Sequence, residues 1–517
     1  MTEDGDKTWE VRTGYGDVVG TDRAGVRVFQ GIPYAAPPIG ERRFAAPARP
    51  SPWEGRRDAT RPGPACPQPT GVMSAGQGAD FAGLFGPGEL AMSEDCLRLD
   101  VYAPSAGDGP WPVMVWIHGG AFRIGTGSSP LYDGSALARR GVVVVTLNYR
   151  LGPLGFLNLA EVGPCNVGLL DQIAALEWVR DEIAAFGGDP DQVTIFGESA
   201  GAKSVECLVA SPRASGLFRR AIAQSTYDPP MDAAPAADAG RSLLDALGAV
   251  DATGRVDRSA IESLDAGAII AEMNRQTLQA MGSGGGILAA LGGWSPVVDG
   301  DVLPQPPLDA FTGGASSDVG MVIGTTRDEA GLFTAMMPVL ASLEESALPG
   351  MLALLVGEAA GGFADTYRKS RGAGMAPIDV LVAAMTDQMF RQHSLRLAGA
   401  RAAGGAPTWM YLFDWCSPED GLRACHALEL PFVFGTLESP LGRLAGTGPD
   451  ADALAGIMQD AWTGFARAGD PSVPALAWPA YDLERRATAA FGPVVEVRDA
   501  PFEQERRAWA AAGPARG

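Results

Sequence analysis

Five short runs of consecutive apolar residues punctuate the chain: PVMVWI (112–117), VVVVTL (142–147), VTIF (193–196), VGMVIG (319–324) and WMYLFD (409–414). A strand with one wet face alternates apolar and polar residues, whereas a strand covered on both faces does not. These runs therefore predict a mostly parallel sheet buried between two layers of helices. Between them, GLLDQIAALEWVRDEIAAF (168–186) places apolar residues at 169, 170, 173, 176, 179 and 183, a helical stripe, and Gly187 and Gly188 supply its stop. The stretch 228–293 is rich in Ala, Gly and Asp, and its GSGGG segment at 282–286 reads as a flexible loop within an insertion. A second helical, Ala-rich region covers about 335–405, and no repeat of 20–50 residues is visible. The expected architecture is α/β: one unit over 1–517, with insertion or cap regions at about 228–293 and 335–405.

Composition narrows the function. Hydrophobic residues make up 46% and charged residues 20% of the 517, as in an average globular protein with a large core. Lys and Arg number 40 against 61 Asp and Glu, and the formal charge of −21 repels phosphate backbones and anionic lipid. Neither nucleic acid nor a membrane is expected as a partner. The opening MTEDGDKTWE lacks the basic and apolar regions of a secretory signal, and no apolar run nears the ~20 residues that span a bilayer. The expected compartment is the cytoplasm. A monomer is compatible with the sequence, which leaves the oligomeric state open. Six cysteines, at 66, 96, 165, 207, 416 and 425, include no C-x-x-C pair, so no metal or other cofactor is expected. Only His118, His393 and His426 can supply an imidazole.

Directly after the run VTIF comes GESAG (197–201), followed by a helical pattern, and no other G-x-S-x-G occurs in the chain. A serine on a sharp strand-to-helix turn is strained and exposed above the sheet, with glycines where a Cβ would collide. The helix that follows aims its N–H groups at developing negative charge. By itself the pentapeptide could be an ordinary loop turn; its flanking strand and helix make Ser199 the candidate nucleophile.

After PVMVWI comes HGGAF (118–122), a glycine-rich loop of the kind that lends N–H groups to an oxyanion. A mere tight turn explains one of its glycines, not the pair. When such a triad runs serine, acid, histidine along the chain, His118 is too early. His393 lies in the helical pattern MFRQHSLRLAGAR, where a solvated-surface or helix-packing role is expected. His426, in ACHALELPFVFG beyond the last confident strand, is the candidate base, with activity lost on the acid side near its ordinary pKa of about 6.5. The acid belongs after VGMVIG, where TTRDEAGLF offers Asp328 and Glu329. Residue chemistry does not choose between these neighbours.

With these residues in place, the chain resembles the type B carboxylesterases, the family of bacterial para-nitrobenzyl esterases and animal cholinesterases. The likeness runs through FQGIPYAAPPIGERRF (29–44), SEDCLRLDVYAP (93–104), LNYRLGPLGF (147–156), FGESAGAKSV (196–205), GTTRDEAGLF (324–333), TDQMFR (386–391), CHALELPFVFG (425–435) and AWTGFARAGDPS (461–472). It weakens over about 228–293, 335–380 and 436–455. The resemblance implies an α/β-hydrolase fold with a mostly parallel sheet and a Ser199–His426–Glu329 triad. Its oxyanion donors would be the N–H groups of Gly120, Ala121 and Ala200. It further implies that Glu94, Arg150 and Asp171 are structural ion-pair residues and that Cys66 and Cys96 match the family's first disulfide loop, reduced here for want of an export signal. Two departures stand out. Ala121 replaces a frequent Gly, which leaves its N–H in place, and QSTYD (224–228) lacks the usual Gly after Ser225, a candidate support of the triad.

The expected activity is carboxylic ester hydrolysis through an acyl-enzyme on short-chain or aromatic esters. A carbamate or amide hydrolase using the same triad is the alternative, and a non-catalytic binding protein of cholinesterase type is the rival from another class. Four catalytic parts together argue against the latter. The stretch 67–95 holds Phe81 and Phe85 but no tryptophan, so the cation–π seat for a choline ester is missing.

Overall fold

The computed structural model describes residues 8–70, 81–227, 231–280 and 293–513. Its centre is a 13-stranded sheet. The strands are β1 (Thr8–Thr13), β2 (Gly16–Asp22), β3 (Val26–Pro33), β4 (Arg56–Asp58), β5 (Arg98–Pro104), β6 (Trp111–Ile117) and β7 (Val143–Leu147), then β8 (Gly188–Glu198), β9 (Arg220–Gln224), β10 (Gly320–Thr326), β11 (Thr408–Phe413), β12 (Ala487–Phe491) and β13 (Glu496–Asp499). The spatial order is β1-β2-β3-β5-β7-β6-β8-β9-β10-β11-β12-β13, with β4 beside β2. Every pair from β7 to β12 is parallel, and the outer pairs are antiparallel except β2–β4, which is parallel.

The five apolar runs are β6, β7, β8, β10 and β11. They do not alternate because the sheet is covered twice. In β6, Val113, Val115 and Ile117 enter one apolar core while Met114 and Trp116 enter the other. Each fully buried side chain of this size contributes about 1.5–3 kcal/mol. Helix α1 (Val167–Glu182) buries its whole predicted stripe, tightens into a 3₁₀ turn at Ile183–Phe186, and stops at Gly187, whose φ of +89° is left-handed.

Helices α2 (Ala200–Ala210), α3 (Ala330–Ala335), α4 (Pro377–Thr386), α5 (Gln392–Ala403), α6 (Pro449–Ala468) and α7 (Glu503–Ala512) surround the sheet's carboxyl edge and its flanks, and a π turn at Asp387–Arg391 joins α4 to α5. The region 228–293 contributes helices Ala233–Ala246, Arg258–Ser263 and Ala266–Ala280. The GSGGG segment lies outside the described residues, as do the tail of QSTYD at Asp228 and residues 71–80 of the stretch between Cys66 and Cys96. Among the described residues no helix is long and apolar enough to cross a membrane.

The ion-pair residues read from the sequence meet real partners. Arg150 and Asp171 form a buried pair at 2.6 Å, and Glu94 holds Arg43 at 2.6 Å. Arg43 also donates to the carbonyls of Ile261 and Leu264, pinning the inserted helices to the body. Breaking such a buried pair from one side typically costs about 3–5 kcal/mol, because a charge is left without its partner. Cys66 and Cys96 are free, buried and in thiol contact; that hydrogen bond and burial raise Cys96 well above the ordinary thiol range.

Candidate active site

The sheet delivers Ser199 at the junction of β8 and α2. Its backbone sits at φ +55°, ψ −119°, outside the ordinary regions for a residue with a side chain. Such strain costs on the order of 1–3 kcal/mol and survives only where neighbours impose it. Here the Ser199 N–H donates to Gln224 O, and Ser199 O accepts from Lys203 N–H, both at 2.9 Å. Gly201 cannot carry a side chain: a Cβ there would lie 2.0 Å from Ile117 O, at the end of β6.

The HGGAF loop leaves β6 against this elbow, since a Cβ on Gly119 would fall 2.8 Å from Glu198 O. Gly120, Ala121 and Phe122 all have positive φ, and the turn closes as Arg123 and Ile124 N–H donate to Gly120 O. Among the described residues no acceptor takes the N–H of Gly120 or Ala121. The Ala200 N–H, at the first position of α2, has no partner within its helix. Three N–H donors thus flank the serine.

The candidate acid Glu329 and the candidate base His426 lie against each other. Glu329 Oε2 lies 2.6 Å from His426 Nδ1, and Glu329 Oε1 accepts from Thr326 N–H at 2.8 Å. Both side chains are buried. Asp328, the alternative, turns away: it bonds Arg327 and approaches Arg371, while its N–H donates to Ala424 O. Phe333 and Phe390 stand against the imidazole with ring centroids at 5.3 and 4.8 Å.

Two buried carboxylates near the candidate base escaped the sequence reading. Glu198, the middle letter of G-E-S, places Oε1 3.0 Å from His426 Nε2, close but not aligned as a hydrogen bond. Glu429, one turn beyond His426, accepts from Gln224 Nε2 at 3.1 Å. Trp462 Nε1 donates to Gln224 Oε1, which fixes the amide's orientation because an indole can only donate. The available signals were a carboxylate next to the nucleophile and the H-x-x-E spacing after the base, yet neither announces burial.

This crowding of carboxylates sets the protonation states. Burial, with Glu198 and Glu329 nearby, pushes Glu429 up to about 8, so it is a neutral acid at pH 7. Burial raises Glu198 too, against the pull of His426. Burial alone would depress His426, but Glu198 and Glu329 outweigh it and hold the imidazole well above its usual 6.5. A free base exists only above that raised value. The acid limb of kcat/KM is therefore expected above 6.5, not at the value of an isolated imidazole, and Glu198→Gln lowers it. A wild-type limb at 6.5 or below, or one that ignores Glu198→Gln, would refute the assigned contact.

The other histidines have different work. His118 is buried, stacks on Tyr149 at 4.5 Å, and is driven down to about 4 by desolvation. His393 is not a surface residue: it is 1% exposed, and Nε2 lies 2.9 Å from Glu206 Oε2. Glu206 also pairs with Lys203 at 2.5 Å and accepts from Thr226 Oγ1 at 2.7 Å; Lys203 and His393 overcome burial and take it down to about 2. Lys203 Nζ further donates to Tyr227 O. Thr226, which stands where the sequence lacks a glycine after Ser225, therefore has its hydroxyl anchored by Glu206. Ser225 is buried at φ +59°, and its N–H donates to Gly324 O, but its hydroxyl bonds no triad member. Among the described residues no cluster of His, Cys, Asp and Glu is arranged to hold a metal ion.

The sequence signature of the carboxylesterase family matches residues 7–509. The para-nitrobenzyl esterase of Bacillus subtilis is 41% identical over 96% of this chain and 97% of its own length. The phenmedipham hydrolase of Pseudarthrobacter oxydans is 35% identical over 92% and 94%. Among solved structures, a carboxylesterase of Geobacillus stearothermophilus superposes with a TM-score of 0.82 at 40% identity, covering 97% of this chain and 99% of that one. With the family signature over residues 7–509 and relatives of this similarity over nearly their whole length, the chain belongs to the carboxylesterase family and is a carboxylic ester hydrolase.

Proposed function

We propose that Ser199 is the nucleophile, His426 the general base and then acid, Glu329 its orienting carboxylate, and the N–H groups of Gly120, Ala121 and Ala200 the oxyanion hole. The observation that carries this reading is the 2.6 Å Glu329–His426 pair, whose Nε2 lies 3.0 Å from Oε1 of Glu198, the residue just before the strained serine. Loss of the imidazole's extra proton dissolves its ion pair with Glu198 and frees Nε2 to accept from Ser199 Oγ. The oxygen then adds to the ester carbonyl, its proton moves to Nε2, and the carbonyl oxygen becomes an oxyanion facing the three N–H donors. Collapse breaks the bond to the alcohol oxygen, which leaves with the proton from Nε2. Water repeats the sequence on the acyl-Ser199 and releases the acid. Glu329 stays ionised throughout and stabilises the imidazolium.

The substrates in this reading are short-chain or aromatic esters. The flat faces of Phe333 and Phe390 beside His426 suit such groups, and a relative named for a para-nitrobenzyl ester fits the same class. Specificity constants for para-nitrophenyl acetate and butyrate are expected to exceed those for the palmitate ester and for butyrylthiocholine. A preference for palmitate would require an acyl tunnel, and one for butyrylthiocholine a cation seat; either outcome sinks the substrate assignment. In the same reading the chain works as one catalytic unit in the cytoplasm, with 228–293 and 335–405 covering the site. It needs no cofactor, and the charge of −21 supports the exclusion of nucleic acid and of anionic membranes.

A further inference from the structure

The segment TDQMFR (386–391) runs beside the triad, and apart from Phe390 it has no role in the chemistry above. Thr386 ends α4 where the chain opens into the π turn, and such turns concentrate at functional sites. Its Oγ1 accepts the Ala330 N–H at 3.1 Å, and both residues are fully buried. Ala330 is the first residue of α3, the six-residue helix that follows Glu329. The leading N–H groups of any helix need acceptors from outside it. The residue at the cap, Glu329, makes no side-chain cap bond to this helix, its oxygens being directed at Thr326 N–H and His426 Nδ1. The acceptor comes from another element and is Thr386.

Its own place is fixed by the next residue. Asp387 accepts from Tyr367 OH at 2.6 Å, and that oxygen accepts from Trp509 Nε1 of α7 at 2.8 Å. Further along the same interrupted helix, Phe390 stacks beside His426 and His393 meets Glu206 of α2. One continuous stretch thus touches the helix behind the acid, the ring of the base and the helix behind the serine.

We propose that Thr386 is a positioning residue for the triad acid, its hydroxyl capping α3 from outside and so fixing the backbone that carries Glu329. This rests on the reading of Glu329 as the acid. Without the hydroxyl, the Ala330 N–H loses its acceptor and the Glu329 carboxylate is free to drift from Nδ1. A displacement on the order of 1 Å in such a group costs about 10- to 100-fold in rate. The same drift weakens one of the two carboxylates that hold His426 in its charged form, while Glu198 stays in place and Glu429 stays neutral. The acid limb therefore moves down, by less than Glu198→Gln moves it.

The experiment compares Thr386→Val, Thr386→Ser and Glu329→Gln on para-nitrophenyl butyrate, with active sites counted by a fluorophosphonate that labels serine. Thr386→Val is expected to lose about 10- to 100-fold in kcat per labelled site, with KM within about twofold and the acid limb lowered; Thr386→Ser keeps wild-type values. Merely misfolded protein would lose labelled sites without moving the limb. Should Thr386→Val prove insoluble, Thr386→Ala carries the same expectation. The proposal is overturned if the hydroxyl-free variant keeps both kcat and limb while Glu329→Gln is impaired, or if Thr386→Ser falls as far as Thr386→Val. Full activity in Glu329→Gln would instead remove the acid assignment on which it rests.

Discussion

Ser199→Ala is expected to lower kcat for an activated ester by on the order of 10⁶-fold while leaving the fold in place. The substitution removes one oxygen and nothing else. An alanine must adopt the same φ of +55°, and the forces that impose it are backbone ones: the bond from Ser199 N–H to Gln224 O and the packing of Gly201 under β6. Neither depends on Oγ. The thermal midpoint should therefore stay within a few degrees of wild type. Turnover above the uncatalysed rate should fall to the roughly 10³- to 10⁴-fold that oxyanion donors and substrate binding supply without a nucleophile. An organophosphate should label the wild-type protein on the peptide bearing Ser199 and leave the variant unlabelled. Wild-type-like hydrolysis by the variant, or label on another residue, would show that a different group attacks the ester.

Much of this site was legible because its signals are local. A continuous apolar run followed at once by G-x-S-x-G or by HGGAF records strand, turn and helix within a dozen residues, and the order serine, acid, histidine then excludes His118. The strands that escaped notice are equally instructive. In β9, RAIAQ, and β12, ATAAF, alanines replace the β-branched residues of the other buried strands, so nothing distinguishes them from helix. The choice between Asp328 and Glu329 was closed to residue chemistry for another reason. Both are carboxylates at one turn, and only the surroundings separate them: Arg327 and Arg371 claim Asp328, while Thr326 N–H and His426 hold Glu329. Glu198 and Glu429 lay hidden for the same cause. A glutamate in a sequence reads as solvated until distant elements, here the tail of β9 and Trp462 of α6, are seen to enclose it.

The second large effect falls on His426, and the contrast with His393 isolates it. His426→Ala should cost about as much as Ser199→Ala, since triad members act as a unit: without the imidazole no group accepts the Ser199 proton or returns one to the leaving alcohol. It also leaves Glu198 without the cation that pulls against its burial, so that carboxyl should become harder to ionise and the residual rate should lose the wild-type acid limb. His393→Ala removes an imidazole that is also buried but is bonded to Glu206 rather than to Glu329. Glu206 keeps Lys203 and Thr226 as partners, so its charge stays compensated. The expected cost is on the order of 1–3 kcal/mol of stability from the lost bond and the cavity, and less than about tenfold in kcat/KM. Measuring kcat/KM and the thermal midpoint for both variants separates the two roles, because one change should strike the rate and the other the fold. A His393 variant crippled in kcat beside an active His426 variant would transfer the base to α5 and detach Glu329 from the chemistry.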